Sequence, residues 1–136
     1  MATDNVEFIK GLYAAFARAD IPPVLEAMDD KIEWNEAEGN PFHLGYPFIG
    51  SDQVVEHVFI RSATDFEGFE IHPDRFFGQG DTVVMQGRYH GKGTATGKAL
   101  DAQVAHVWDL KDGKVVRFQQ YADTRHLAEV LGAAEG

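Results

Sequence analysis

Apolar residues recur every three or four positions near the start of the chain. Val6, Ile9, Leu12, Tyr13 and Phe16 fall on one face of a helix. Asp20 is placed to cap a second helix, with Pro22 and Pro23 in its first turn and Val24, Leu25 and Met28 turned inward. Lys31 to Asn35 reads as a short strand carrying Ile32 and Trp34. An irregular stretch, 36–50, follows with Phe42, Tyr46 and Phe48, and a loop of this length in a compact domain suits a lid. Gly50-Ser51-Asp52 then opens a third helix whose apolar set is Val54, Val55, Val58 and Phe59.

The period changes in the second half. Phe66 to Phe77, Thr82 to Gly91, Leu100 to Leu110 and Val115 to Tyr121 read as strands. Gly78–Asp81 is a turn, Gly93–Gly97 a hairpin loop, and Asp112-Gly113 a tight hairpin turn. Thr124 to Leu131 is a short closing helix. Helices on one side of a strand meander define an α+β fold. The expected architecture is a cone: a strongly curved antiparallel sheet wrapped around three N-terminal helices, with the short helix at the C-terminal end. All of 1–136 is read as a single domain around one apolar pocket.

Composition narrows the function classes. Lys and Arg total 12 against 22 Asp and Glu, a net charge of −10, which repels phosphate backbones and argues against nucleic-acid binding. No cysteine is present, so thiolate chemistry and disulfides are excluded. The six histidines, at 43, 57, 72, 90, 106 and 126, lack zinc-like spacing, and no metal or cofactor is expected. Neither a leader pattern nor an apolar stretch of membrane-spanning length stands out, so a cytoplasmic location without membrane association is expected.

Several motifs then converge. Asp112-Gly113-Lys114-Val115 leads into the last strand, and Asp123 stands ten residues after Gly113. Upstream lie Gly91, Thr96-Gly97-Lys98 and His106-Val107-Trp108. Tyr13-Ala14-Ala15-Phe16 with Asp20, and Trp34 before Gly50, complete the set. With these motifs the chain resembles the SnoaL-like branch of the nuclear-transport-factor-2-like superfamily, which also holds ketosteroid isomerase and limonene-epoxide hydrolase. The resemblance covers nearly the whole chain and speaks to fold more than to activity.

Carried over by position, the resemblance makes Asp123 the acid/base of a polyketide cyclase. The cyclase histidine falls on Tyr89, beside His90. The ketosteroid isomerase tyrosine falls near Leu12, one position from Tyr13; its base falls near Trp34 and its second donor near Val104. The resemblance thus implies that the isomerase site is missing. Arg88, Asp101 and Asp123 are the residues a hydrolase-type arrangement would use. The superfamily also implies a homodimer formed through the outer sheet face.

The residues themselves offer candidates. Asp123 suits a general base at a pocket mouth, and equally an N-cap of the closing helix. His106 shares a strand face with Val104 and Trp108, where a neutral imidazole can meet a ligand oxygen. Tyr89, Tyr121 and Gln120 can polarise an oxygen, and Phe118 alternates with Tyr121. Trp34, Tyr46, Phe59, Trp108 and Phe118 are expected to line the pocket. Glu33, Glu36 and Glu38 read as a solvated acidic face. Two functions fit: a cofactor-free enzyme moving protons on a hydrophobic oxygenated small molecule, with Asp123, His106 and Tyr89 catalytic, or a non-catalytic binding or interaction module of the same fold.

Overall fold

The computed structural model describes residues 2–132. Helix α1 (Ala2–Ala17) buries Ile9, Leu12 and Tyr13 of the face its spacing predicts, with Val6 and Phe16 half-buried against the core, and buries Ala15 beside them. Helix α2 (Pro22–Glu26) starts from Ile21 and not from the expected cap Asp20. Proline in its first turn forfeits no hydrogen bond, because the first amides of a helix have no partner there. Strand β1 (Met28–Asn35) begins three residues before the predicted start. The short strand β2 (Phe48–Ile49) precedes a helical run of three segments: α3 (Ser51–Val54), a π-helical turn (Val55–Phe59) and α4 (Ile60–Asp65). The long strands β3 (Phe66–Gln79), β4 (Thr82–Gly93), β5 (Ala99–Lys111) and β6 (Lys114–Ala122) follow, then α5 (Thr124–Leu131).

Among the described residues, six strands form one sheet in the order β2-β1-β6-β5-β4-β3. The expected α+β cone with a short C-terminal helix holds. The pairings are antiparallel except one: β1 runs parallel to β6, in register at Trp34 and Phe118. That pairing joins the two halves of the chain and sets the Trp34 ring on Phe118, with centroids 3.7 Å apart.

Twist and bulges curve the sheet. Register shifts lie between Glu67 and Glu70 and between Pro73 and Arg75 on β3, and between Asp109 and Leu110 on β5. Each bulge bends its strand and raises the local twist. Proline is tolerated in β3 beside such a bulge. Opposite it stands Gly87, where any Cβ would run into the His72 carbonyl, so only glycine lets β4 approach so closely. The concave face is the buried one. On β5, Leu100, Ala102, Val104, His106, Trp108 and Leu110 alternate inward as period two requires. Helix α1 packs against β3 and β4 on that face, and α5 against β5 and β4. No described helix is long and apolar enough to cross a membrane.

Candidate functional site

The concave face of the sheet and the helices enclose a cavity of about 70 Å³. That is room for several waters at roughly 10–15 Å³ each. Aromatic rings form most of its wall, including Phe16 from α1, Trp34 from β1, Phe59 from the helical run and Phe118 from β6. The π-helical turn carries Val58 and Phe59 into this wall. A π turn inserts an extra residue and so changes the phase of the helix that follows it. Phe59 thereby meets both Trp34, edge-on at 5.9 Å, and Phe16 at 5.7 Å.

Polar groups enter this wall as one connected set. The amide of Phe42 donates to Asn40 Oδ1 (2.9 Å), which fixes the Asn40 amide so that its Nδ2 donates to Gln120 Oε1 (2.8 Å). Gln120 Oε1 also accepts from the Ala37 amide (3.2 Å), and its Nε2 therefore points to Tyr89 Oη (2.8 Å). Tyr89 Oη lies 2.6 Å from His106 Nε2, and Tyr13 Oη lies 2.6 Å from His106 Nδ1. Trp108 Nε1 donates to Tyr13 Oη at 2.9 Å. Buried polar groups that are all paired rigidify a core. No buried side-chain nitrogen or oxygen among the described residues lacks a partner.

Burial sets the charge states. Desolvation pushes the His106 imidazole down to about 3, so it is neutral at physiological pH. It raises the Tyr13 and Tyr89 phenols well above their ordinary range, and both remain O–H donors. The carboxyl of Glu36 is buried at 4% exposure in the same cavity and accepts one hydrogen bond, from Trp34 Nε1 at 3.0 Å. Desolvation raises it from 4.5 to about 7, while the Trp34 bond and the charge of Arg61 work in the opposite direction. Arg61 is held by Asp65 (3.3 Å) and lies over the Phe42 ring at 4.1 Å, tying the 36–50 segment to α4. A carboxyl that titrates near neutral pH inside an apolar cavity is suited to take up and return a proton.

The expected site residues divide. Trp34, Phe59, Tyr89, His106, Trp108, Phe118 and Gln120 all line the cavity. Asp123 does not. It is exposed, and its Oδ1 accepts the His126 amide (3.1 Å) as the N-cap of α5. The turn out of β6 aims its carboxylate at the free amides of the helix, where the helix dipole favours it. Tyr46 is also outside the cavity, 55% exposed in the 36–50 segment, because Phe42 takes the inward position there. Tyr121 points outward, opposite in parity to Gln120. Arg88 and Asp101 pair on the exposed face (2.6 Å), away from the cavity, so no hydrolase-type trio with Asp123 assembles.

Glu36 is not on a solvated face. Ile32, Trp34 and Glu36 share the parity of β1, and the carboxyl follows the two apolar side chains inward. That parity is the signal that distinguishes it from Glu33, whose carboxylate is paired with Arg117 and Asn35 and held below its ordinary value. Tyr13 also belongs to the site, although its position one residue from the isomerase tyrosine argued for a missing donor. Its inward face shows in the spacing of Ile9, Leu12 and Phe16. Asn40 carries no sequence signal of its own, because its role depends on Gln120, 80 residues away.

Comparison with known proteins agrees with this architecture. The chain belongs to the SnoaL-like domain family, whose model matches residues 9–118. An NTF2-like protein from Burkholderia thailandensis is 33% identical over 93% of this chain and 96% of its own, with a TM-score of 0.88. An NTF2-like protein of unknown function from Burkholderia pseudomallei is 27% identical, over 95% and 98%, with a TM-score of 0.85. TerC, co-crystallised with polyporic acid, is 29% identical over 95% and 98%, with a TM-score of 0.82. No curated protein matches the chain significantly.

Proposed function

We propose that this protein is a cofactor-free pocket enzyme that moves protons on a small hydrophobic molecule bearing a carbonyl or related oxygen, as an isomerase or cyclase. One observation carries the reading: the Glu36 carboxyl, raised to about 7, shares an apolar cavity with the phenols of Tyr13 and Tyr89. In the proposed step the Glu36 carboxylate takes a proton from carbon next to the carbonyl. The C–H electron pair moves into the C–C bond and the carbonyl pair onto oxygen. A phenol O–H stabilises that developing enolate, a kind of donor commonly worth several kcal/mol in a dry site. Glu36 then returns the proton, to the same carbon or to a conjugated one. This reading moves the acid/base role from Asp123 to Glu36 and keeps Tyr89 and His106 in the machinery. The co-crystallisation of the similar TerC with polyporic acid supports reading the cavity as a small-molecule site.

The reading also places the protein in the cytoplasm as a homodimer through the outer sheet face. Half-buried Val84, Val107 and Val116 lie on that face. Light scattering of the purified protein tests the dimer, and a monomer at micromolar concentration removes it.

The activity itself is tested by hydrogen–deuterium exchange next to the carbonyl of cyclopentanone in D2O, followed by NMR. The native protein is expected to accelerate exchange, with a rise in rate centred near pH 7. Glu36→Gln is expected to bring the rate to background. An unchanged rate in that variant overturns the assignment of Glu36. Absence of acceleration by the native protein across the panel cyclopentanone, cyclopentenone and 2-tetralone favours a binding module.

A further inference from the structure

The hydrogen bonds around His106 contain one proton too many. Tyr13 Oη accepts from Trp108 Nε1, which can only donate. Tyr89 Oη accepts from Gln120 Nε2, whose orientation is fixed by the Ala37 amide on Oε1. Each phenol therefore has its acceptor role engaged by a fixed donor, and each also touches a different nitrogen of one imidazole at 2.6 Å. No carboxylate is bonded to that ring, and the groups that face it are these two phenols with the rings of Trp108 and Phe118. A neutral imidazole has one N–H and one lone pair. It donates to one tyrosine and accepts from the other. Two phenol protons and one imidazole proton thus serve two contacts, and the proton left over belongs to the tyrosine that receives the N–H. No other acceptor among the described residues takes it.

We propose that His106 is a positioning residue which, as a neutral ring between Tyr13 and Tyr89, always leaves one phenol proton free for the cavity, and that the site takes a ligand oxygen that accepts without donating, a carbonyl or an enolate. The inference rests on the proposed function and names the oxygen which that reaction must present. Exchange of the imidazole tautomer moves the free proton from one tyrosine to the other. Tyr89–O–H to Nε2 with Nδ1–H to Tyr13 becomes Nδ1 accepting from Tyr13 with Nε2–H to Tyr89. Between the two states Nδ1 loses one bond to hydrogen and Nε2 gains one, each phenol keeps a single O–H, and the net charge is unchanged. The ring can therefore offer its donor to an oxygen at either end of the network without ionising.

Long-range ¹⁵N–¹H correlation spectra of histidine-labelled protein test this, with His106→Asn used to assign the resonance. His106 of the native protein is expected to be neutral at pH 7. Tyr13→Phe removes only the oxygen beside Nδ1, and a lone pair is cheaper to leave unpaired than an N–H, so the ring is expected as the Nε2–H tautomer. Tyr89→Phe is expected to show the opposite tautomer, Nδ1–H. A charged ring in the native protein, or the same tautomer in both variants, overturns the proposal. Should neither variant fold, the charge state of the native ring and the ketone signal decide.

The ligand class is read with carbonyl-¹³C cyclopentanone. A downfield carbonyl shift on binding is expected in the native protein and in each single variant. No binding at millimolar ketone, or a bound signal without the shift, overturns that part. Glu36→Gln is expected to lose exchange activity while keeping both tautomers and the carbonyl shift, so the two readings fail separately.

Discussion

Tyr13 and His106, 93 positions apart in the chain, meet at 2.6 Å between phenol oxygen and Nδ1. The contact joins the first helix to the fifth strand and gives the cavity its polar centre. It also serves Trp108, whose indole N–H ends on the same oxygen.

Replacing Tyr13 by Phe therefore strands a buried indole N–H. The expected loss is about 1–3 kcal/mol, the typical cost of an unpaired buried donor. Urea denaturation followed by tryptophan fluorescence measures it. A change smaller than a few tenths of a kcal/mol would mean that the phenol contributes nothing net to the core.

Stability should respond to pH through Glu36. Its folded-state pKa of about 7 lies above the ordinary 4.5, so the folded chain holds a proton that the unfolded chain releases. The contribution is fully present below about 4.5 and is lost as pH rises through 7. A shift of that size corresponds to roughly 3 kcal/mol. Glu36→Gln should melt near the native temperature at pH 4 and clearly above it at pH 8. His106 acts in the other direction. Its pKa is depressed to about 3, so stability falls as pH drops from about 6.5 toward 3. Melting curves of both proteins across this range separate the two slopes.

Trp34→Phe keeps the ring stacked on Phe118 but removes the hydrogen bond that lowers the Glu36 pKa. The midpoint of the pH profile for ketone exchange should move upward. Arg61→Ala should move it the same way, because the Arg61 charge also favours the carboxylate. A downward or unchanged midpoint in both variants would place the titrating group elsewhere.

Asp123→Ala removes the N-cap of α5. The expected cost is about 1 kcal/mol, a fall of a few degrees in Tm. Exchange activity at a temperature where the variant is folded should match the native protein. Loss of activity without loss of stability would return the acid/base role to Asp123.

The chain itself determined most of the elements and part of the wall. Three- and four-residue spacing placed α1, period two placed the four long strands, and Asp112-Gly113 placed their last turn. Parity put His106 with Trp108 on one face of β5 and Phe118 with Gln120 on one face of β6 without saying which face is inward, and the same rule applied past Trp34 ties Glu36 to the side of Ile32 and Trp34. These features are local, since backbone geometry repeats over a few residues.

Tertiary structure alone decided the rest. A carboxylate after a strand serves equally as cap or base, and only the direction of the chain into α5 made Asp123 a cap. The parallel pairing of β1 with β6 brought Trp34 to Phe118 and left Glu36 in the cavity. The charge of Glu36 and His106 depends on what surrounds them, and those neighbours come from elements far apart in the chain, which no local spacing records.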